Sequence, residues 1–228
     1  MNIVITCGPA WEPVDRVRRL TNFSTGRLGI TLANRFTGLG WSVFCLKGEQ
    51  STCADSLRAH SHIPFSTNDD LASKLQELGR DIRVDAVLHA AALCDYKVAG
   101  VRAEDGRVLD LPKIPTCEGR IQLQLVPATK LLPQLREMFP TARIVGWKYE
   151  LNGGREAALE AAQRQLREAH ADACVLNGAA YGPGFALVTT VAPVVEVADA
   201  AALSDCLDSW LRSSIPEQPA QAQRPEQA

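Results

Sequence analysis

The sequence lacks any run of apolar residues close to the roughly 20 that an α-helix needs to cross a bilayer, and its longest apolar runs have the length of strands. It also lacks an excess of either charge, because 24 Lys and Arg stand against 26 Asp and Glu. A nucleic-acid interface usually needs a clustered basic face. The first residues carry no basic segment, which predicts an opening β-strand rather than a signal peptide. We therefore expect a cytoplasmic protein that binds neither nucleic acid nor membranes.

Paired cysteines are also missing. The chain has seven cysteines, an odd number, and none of them forms a Cys-x-x-Cys pair. A structural zinc site or a disulfide framework would need such pairing. Several of the cysteines lie in apolar stretches, where the thiol behaves as a small hydrophobic group. We expect reduced thiols and no protein-bound metal.

What the chain does contain is a regular alternation of short apolar segments and amphipathic ones. Strands are predicted at 2–7, 41–46, 85–93, 121–126, 142–149, 173–176, 185–191 and 194–197, and helices at 26–36, 68–78, 131–138, 154–170 and 199–211. This order predicts an α/β fold with a Rossmann-like, doubly wound, mostly parallel sheet and a C-terminal hairpin. The length predicts a single domain over residues 1–212, and the Pro-, Gln- and Glu-rich residues 213–228 predict a disordered tail.

Two segments do not fit the regular pattern. The first strand-to-helix connection runs from Gly8 to Phe23, although such connections usually take about 2 to 6 residues. It ends in Asn-Phe-Ser-Thr-Gly-Arg-Leu-Gly over 22–29, where small residues at a helix start leave backbone N–H groups open to a phosphate. The same residues also suit a capped helix whose glycines allow close packing. The second segment, about 97–118, predicts a long loop or flap.

The motifs resemble the phosphopantothenate–cysteine ligase family, the ligase domain of the DNA/pantothenate metabolism flavoproteins. Five blocks occur in the order typical of that family: residues 5–18 with 22–29, His-Ala-Ala-Ala-Leu-Cys-Asp-Tyr at 89–96, Lys-Ile at 113–114, Val-Gly-Trp-Lys-Tyr-Glu at 145–150, and Val-Leu-Asn at 175–177. Together they extend from residue 2 to about residue 190. Five ordered blocks are much more specific than any one of them.

The resemblance implies an activity, cofactors and partners. The family joins 4′-phosphopantothenate to cysteine in coenzyme A biosynthesis. It consumes CTP or ATP, forms an acyl-nucleotidylate and releases pyrophosphate. We expect Mg²⁺ with the nucleotide, no flavin in this domain, and a homodimer whose flap reaches the neighbouring subunit. The sequence does not decide between CTP and ATP.

The resemblance also implies roles for individual residues. The nucleotide site would comprise Gly8, Ser24, Gly26, Gly29, Trp147 and Asn177. The substrate site would comprise Arg18, Asn22, Ala91, Ala92 and Asp95, with Arg18 on the cysteine carboxylate. Arg18, Asn22 and Lys113 would be the catalytic residues. Each has an ordinary structural alternative: a solvated charge for Arg18 and Lys113, a helix cap for Asn22, and packing for the alanines and Trp147.

The chain departs from the bacterial family members where they carry positive charge. The flap reads Lys113-Ile114-Pro115 without the two basic residues that follow in the family, and the lysines late in the helix at 154–170 are absent. Arg164, Arg167, Lys130, Lys148 or Mg²⁺ could compensate. These losses keep open a second reading, a non-catalytic module that binds nucleotide or phosphopantothenate.

A third reading is an oxidoreductase that uses NAD(P). It requires a Gly-rich turn directly after the first strand and an acidic residue at the end of the second. The first turn is too long for that motif, and the second strand ends in Leu46-Lys47-Gly48. The sequence therefore favours the ligase over the oxidoreductase.

Overall fold

The computed structural model describes residues 1–215, so most of the predicted tail lies outside the described residues. The strands are β1 (Asn2–Cys7), β2 (Trp11–Pro13), β3 (Arg19–Thr21), β4 (Ser42–Gly48), β5 (Ser61–Phe65), β6 (Ala86–His89), β7 (Tyr96–Ala103), β8 (Ile121–Pro127), β9 (Arg143–Tyr149), β10 (Ala173–Gly178), β11 (Gly182–Thr189) and β12 (Val195–Val197). The helices are α1 (Arg27–Gly38), α2 (Asn68–Asp81), α3 (Leu135–Met138), α4 (Arg155–Glu168) and α5 (Ala200–Ser214). Within these residues, no helix is long and apolar enough to span a bilayer.

A sheet of eight strands forms the centre of the molecule, in the order β12-β11-β10-β9-β6-β1-β4-β5. The run from β10 to β5 is parallel throughout, and β11 and β12 join its end antiparallel. The strands β1, β6 and β10 are almost wholly buried, as expected for parallel strands that are covered on both faces. The predicted Rossmann-like fold and its C-terminal hairpin are confirmed.

Helices cover both faces of this sheet. The helices α1 and α5 pack on one face, over a core that includes Ile3, Ile5 and Val175. The opposite face carries α2, α3 and α4 over residues such as Val4, Val87 and Leu176, which alternate with the first set along the same strands. Because side chains alternate between the two faces along each strand, each face of the sheet has its own hydrophobic core.

The chain reverses its direction of travel across the sheet between β1 and β6. From β1 it proceeds outward to β4 and β5, and then returns to β6 and proceeds the other way to β9 and β10. In open α/β sheets, ligands bind in the crevice outside the carboxyl ends of the strands at such a topological switch point. The expected ligand crevice therefore lies at Gly8, which follows β1, and at residues 90–95, which follow β6.

Two connecting segments contain strands that were not predicted. In the predicted loop or flap at 97–118, residues up to Ala103 belong to β7, which pairs antiparallel with β8, and residues 104–118 lie in the connection of 104–120 between the two strands. The strand at 121–126 was predicted and is β8, whereas β7 has no continuous buried face and its register shifts before Gly100. The long first connection likewise contains the hairpin of β2 and β3, and the edge strand β5 was missed.

One helix starts as predicted, and another ends later than predicted. The helix α2 begins at Asn68 and is capped by Thr67, whose hydroxyl accepts from the Asp70 amide at 3.1 Å. The last helix continues to Ser214, so the first two residues of the predicted tail are helical. The single domain over 1–212 stays a prediction.

Candidate functional site

The first strand and the first helix meet at two glycines and a serine. Gly8 follows β1 with φ 80° and Gly26 precedes α1 with φ 79°, a backbone conformation that L side chains rarely adopt. A Cβ on Gly8 would lie 1.9 Å from the Ser51 hydroxyl oxygen, and one on Gly26 would lie 2.9 Å from it. We call Gly8, Gly26 and Ser51 the glycine turn. Its conformation and its close contacts both require glycine at these two positions.

Gly29 has a packing role in this structure. A Cβ at Gly29 would lie 2.1 Å from the Cβ of Cys7, so α1 can approach β1 this closely only without a side chain there. The close approach places the start of α1 directly above the end of β1. Because the first N–H groups of a helix have no partner within it, they remain available to an anion at this edge. The packing explanation and the phosphate explanation are therefore compatible.

Ser24 lies half-buried just before this turn, and it does not cap the helix. The residue before α1 is Gly26, which provides no side-chain cap, and the Arg27 amide instead donates to the Thr25 hydroxyl at 3.3 Å. The role of Ser24 in nucleotide binding stays a prediction.

The segment 90–95 continues β6 across the crevice. The Ala92 amide donates to the Gly8 carbonyl at 2.9 Å, and the Ala92 carbonyl accepts from the Ala10 amide at 3.0 Å. The Asn22 side-chain amide donates to the carbonyls of Ala92 and Leu93 at 3.2 and 2.8 Å. The structure thus brings Gly8, Asn22 and Ala92 together. It also engages the Asn22 NH₂ group with the protein, so a donor role toward substrate requires this contact to open.

A cavity of about 310 Å³ lies beyond this segment, between the loop after β8 and α4. It is lined by three predicted site residues, Ala91, Asp95 and Trp147. Lys130, Lys148 and Arg164 line it as well, whereas Arg167 does not. We call this space the cation cavity. Three of the four cations considered as compensation for the missing lysines therefore lie around one space.

Asn68 and His89 shape the cavity from inside the protein. The Asn68 side chain is buried and bonds to the amide and carbonyl of Cys94, at 3.1 and 2.8 Å. His89 is buried and lies 2.8 Å from the Thr6 hydroxyl. Burial lowers the pKa of His89 to about 4, so its ring is neutral near pH 7 and adds no charge to the cavity. His89 is therefore a hydrogen-bonded residue of β6.

Trp147 and Asn177 lie on neighbouring strands at the same edge. Trp147 pairs with Val175 across the ladder, and Asn177 follows two residues later on the same face of the sheet. Trp147 Nε1 and Asn177 Oδ1 are buried without a hydrogen-bond partner, and so is Ser51 Oγ. Within residues 1–215 only Trp11 Nε1 shares that condition among side-chain nitrogens and oxygens. An unpaired buried polar atom costs about 1–3 kcal/mol, and a ligand bound along this edge of the sheet would satisfy three of the four.

Arg18 and Lys113 lie elsewhere. Arg18 is at the tip of the β2–β3 hairpin, where its guanidinium donates to the Ile114 carbonyl next to Lys113. Asp15 joins the same two segments by accepting from the amides of Ile114, Val17 and Arg18. Desolvation opposes ionisation of Asp15, but these amides outweigh it and hold its pKa below the usual value. The three residues of β3 lie between Arg18 and Asn22, and at about 3.3 Å per residue the extended chain spans roughly 13 Å from one to the other. Neither Arg18 nor Lys113 lines the cation cavity.

Sequence reasoning missed Ser51 and Asn68. Ser51 lies in the loop after the parallel strand β4, and Asn68 is the first residue of the helix after the parallel strand β5. Residues that follow parallel strands at this edge are where the fold places binding residues, but no motif identified either of them. The signal that was available is positional, because the end of β4 lies against the residues after β1, where a Cβ at Gly48 would lie 2.3 Å from the Pro9 carbonyl oxygen.

The residues at this edge suit a nucleotide-bound Mg²⁺ better than a resident metal. Within the described part of the chain, no three His, Cys, Asp or Glu side chains cluster. An Mg²⁺ held with a nucleotide needs only one or two carboxylates, since phosphates and waters complete its shell. Asp95 and Glu168 line the cation cavity and could supply them.

Comparison with known proteins identifies relatives over most of the chain. The coenzyme A biosynthesis bifunctional protein CoaBC of Thermococcus kodakarensis is 25% identical over 178 residues, and the match covers 77% of this chain and 40% of that protein. The chain thus spans about two fifths of the length of this relative.

Solved structures share the fold. The DNA/pantothenate metabolism flavoprotein from Streptococcus pneumoniae gives a TM-score of 0.81 at 20% identity, covering 93% of this chain and 99% of that one. A Cab2 variant in complex with phosphopantothenate-cysteine gives a TM-score of 0.70 at 18% identity, covering 93% of this chain and 85% of that one.

The family model of the DNA/pantothenate metabolism flavoprotein C-terminal domain matches residues 1–204. This range contains the glycine turn, the segment 90–95 and the cation cavity. The relationship predicted from the five ordered motifs is confirmed, and the chain belongs to the family of DNA/pantothenate metabolism flavoprotein C-terminal domains.

Proposed function

We propose that the chain is a ligase that joins 4′-phosphopantothenate to cysteine at the expense of CTP or ATP. One observation carries the proposal: three buried polar atoms without partners, on Ser51, Trp147 and Asn177, lie along the carboxyl edge of the sheet that also holds the glycine turn. The names of the relatives support the chemistry, since CoaBC acts in coenzyme A biosynthesis and Cab2 has been captured with phosphopantothenate-cysteine.

The reaction has two steps. A carboxylate oxygen of phosphopantothenate attacks the α-phosphorus, the bond from that phosphorus to the bridging oxygen breaks, and pyrophosphate leaves. The cysteine amine then attacks the acyl carbon, nucleoside monophosphate leaves with the former carboxylate oxygen, and the amine loses a proton to solvent. The protein must therefore hold two anions together and orient an uncharged amine.

The glycine turn and the strand ends would bind the nucleotide. The start of α1 presents free N–H groups and a partial positive charge to a phosphate. The buried indole N–H of Trp147 and the amide oxygen of Asn177 offer a donor and an acceptor, and a base with both functions would pair them. Adenine and cytosine each have such an edge, which supports either nucleotide.

The segment 90–95 would position the acid. Ala91 and Ala92 carry only methyl groups, so a substrate can approach the backbone between the glycine turn and the cation cavity. Asn22 holds the carbonyls of Ala92 and Leu93, and in this arrangement it positions the segment that the acid contacts. Mg²⁺ bound with the nucleotide would neutralise phosphate charge, with Asp95 or Glu168 as its protein ligand.

A second subunit would complete the site. Arg18 and Lys113 lie on the hairpin tip and the flap, away from the cation cavity of their own chain. The β7–β8 ribbon exposes Tyr96, Leu123 and Leu125, and an isolated two-stranded ribbon is marginal unless it packs on something. We therefore propose a homodimer in which this flap reaches the neighbouring site.

The direct test is pyrophosphate release from the purified protein with Mg²⁺, phosphopantothenate, cysteine and either CTP or ATP. We expect release with at least one nucleotide and only when phosphopantothenate is present. No release with either nucleotide, together with measurable nucleotide binding, would leave the non-catalytic binding module as the function. The loss of the family's flap and helix cations supports that second candidate.

Two substitutions test the assignment of residues. Asn22→Ala frees the segment 92–93 and removes an amide from the site, and Lys113→Ala removes the flap cation. We expect each to lower turnover by at least about 100-fold, a loss of roughly 3 kcal/mol of transition-state stabilisation. Wild-type rates in both variants would show that the roles implied by the resemblance do not apply to this chain. Light scattering that gives a monomer would contradict the shared flap.

A further inference from the structure

The side chain of Asn68 bonds to two walls of the crevice from behind. Its Oδ1 accepts from the Cys94 amide at 3.1 Å, and its Nδ2 donates to the Cys94 carbonyl at 2.8 Å. Nδ2 also donates to the Thr129 carbonyl at 3.4 Å. One buried side-chain amide therefore joins the segment 90–95 to the loop that follows β8.

The helix α2 does not need this side chain, although Asn68 is its first residue. Thr67 caps the helix by accepting from the Asp70 amide at 3.1 Å. The Asp70 carboxylate in turn accepts from the Ser66 amide and hydroxyl at 2.8 and 3.0 Å. The Asn68 side chain instead points into the protein, where the residue is only 3% exposed. Its hydrogen bonds belong to the crevice rather than to the helix.

The two segments that Asn68 joins form part of the wall of the cation cavity. Cys94, Asp95 and Thr129 line the cavity, whereas Asn68 lies behind them and does not. The Ala128 amide donates to the Asp95 carbonyl at 2.9 Å, which is a second link between the same two segments. A residue behind the wall acts on a ligand only through the position of this backbone.

The end of the segment 90–95 depends on Asn68 more than its start does. Backbone bonds to Gly8 and Ala10 hold Ala92, and at Cys94 the Asn68 side chain takes their place. An aspartate could not donate to the Cys94 carbonyl, and an alanine would leave the Cys94 amide and carbonyl without these bonds. Because unpaired buried groups cost free energy, the end of the segment would move to find other partners.

We propose that Asn68 is a positioning residue for the acid substrate, because it fixes the end of the segment 90–95. The inference rests on the proposed function, in which this segment positions 4′-phosphopantothenate. The proposed nucleotide site lies at the glycine turn and the ends of β9 and β10, whereas the bonds of Asn68 run to the segment and to the loop after β8. Loss of Asn68 therefore weakens binding of the acid and spares the nucleotide.

The measurement is steady-state pyrophosphate release by the full chain, with phosphopantothenate and the nucleotide varied in turn. Asn68→Ala should raise the KM for phosphopantothenate at least about tenfold and the KM for the nucleotide by less than about twofold, because only the acid loses its positioned wall. Asn68→Asp keeps the size and the acceptor but loses both donors. It should show the same selective rise, and it decides the question if Asn68→Ala does not fold.

Thr67→Ala is the matched control. It removes the cap of the same helix but leaves the bonds between Asn68 and Cys94 in place. It should lower the melting temperature by about 2–4 °C and keep both wild-type KM values.

Hydrogen exchange of the Cys94 amide tests the link without any activity. This amide donates to Asn68 Oδ1, so it should exchange at least about tenfold faster in Asn68→Ala than in the wild type or in Thr67→Ala. An unchanged exchange rate overturns the inference.

The outcomes separate this inference from the ligase activity. A selective rise in the KM for phosphopantothenate supports it. Wild-type KM values in the Asn68 variants, equal changes in both KM values, or the same change in Thr67→Ala overturn it, even if the wild type is an active ligase. If the wild type releases no pyrophosphate, calorimetric affinities for phosphopantothenate and nucleotide replace the two KM values, and the same comparison decides. A wild type that binds no phosphopantothenate overturns the inference and the proposed function together.

Discussion

The glycine turn and the cation cavity lie at the same edge of one sheet, yet they are built in opposite ways. The turn consists of backbone: Gly8 and Gly26 have positive φ, and a methyl group on either would meet Ser51. The cavity has a rim of long charged side chains from the loop after β8, β9 and α4. The glycine turn depends on backbone contacts that leave no room for an additional atom. The cation cavity depends on charged groups, which several positions in the chain can supply.

This difference explains which family features the chain keeps. A phosphate bound by backbone N–H groups depends on close approach, so the residues of the turn cannot change without disturbing β1 and α1. A phosphate bound by ammonium and guanidinium groups depends on charge within reach, and flexible side chains can provide it from different elements. The turn therefore admits no substitution at Gly8 or Gly26, whereas the charged groups around the cavity can come from several positions.

The largest expected effect tests the packing of the turn. Gly29→Ala would place a methyl group 2.1 Å from the Cys7 Cβ, so strand and helix must separate. We expect a loss of about 3 kcal/mol in the free energy of unfolding, measured by urea denaturation. Gly38→Ala is the matched control on the same helix, because nothing lies within 4 Å of that site. The control should be neutral or more stable by about 0.5 kcal/mol.

If Gly29→Ala is as stable as the control, the account of the turn as a close-packed backbone site is wrong. A stable Gly29→Ala variant that nevertheless loses nucleotide affinity would give Gly29 a direct binding role instead of a packing role.

A pH series tests the uncharged floor of the cavity. The pKa of His89 is lowered from 6.5 to about 4 in the folded state, so the unfolded chain binds the proton more tightly. Its contribution to stability is complete above pH 6.5 and is lost as the pH falls toward 4. The shift corresponds to at most about 3 kcal/mol. His89→Gln should give a flatter dependence of unfolding free energy on pH between 6.5 and 4.5. Parallel curves for the two proteins would show that His89 is not buried as a neutral ring.

The smallest expected effect separates binding from stability at the turn. Ser51→Ala removes a buried hydroxyl that has no partner in the described structure. The free energy of unfolding, measured by thermal denaturation, should be unchanged or higher by about 1 kcal/mol. Nucleotide affinity should fall about threefold. A less stable Ser51→Ala protein with unchanged nucleotide affinity would make the hydroxyl structural and remove Ser51 from the site.

Most of the fold was predictable because its strands and helices have clear periods. The buried run at 85–93 predicts a central strand, and β6 occupies Ala86–His89. Of the two-stranded ribbon, β8 was predicted from the alternation at 121–126, but β7 and the pairing of the two strands were not, because the exposed positions of the ribbon carry apolar residues such as Tyr96 and Leu125. Hydrophobic periodicity arises where one face of an element is buried against a core, and this ribbon buries little of either face.

The candidate site was predictable in part, for a similar reason. Gly8 and Ala92 act through their backbone groups, and both lie at the ends of strands that were predicted from the sequence. The convergence of Lys130, Lys148 and Arg164 depends on three elements that are distant in sequence, so only the fold brings them together. The separation of Arg18 and Lys113 from Asn22 is likewise a tertiary property, since it follows from the extended hairpin of β2 and β3.

The most direct test of the central claim is a crystal structure with bound CTP or ATP and Mg²⁺. The account predicts a base against Trp147 and Asn177 and a phosphate at the start of α1 beside Gly26. A nucleotide bound away from the glycine turn, or an empty edge at saturating nucleotide, would contradict it.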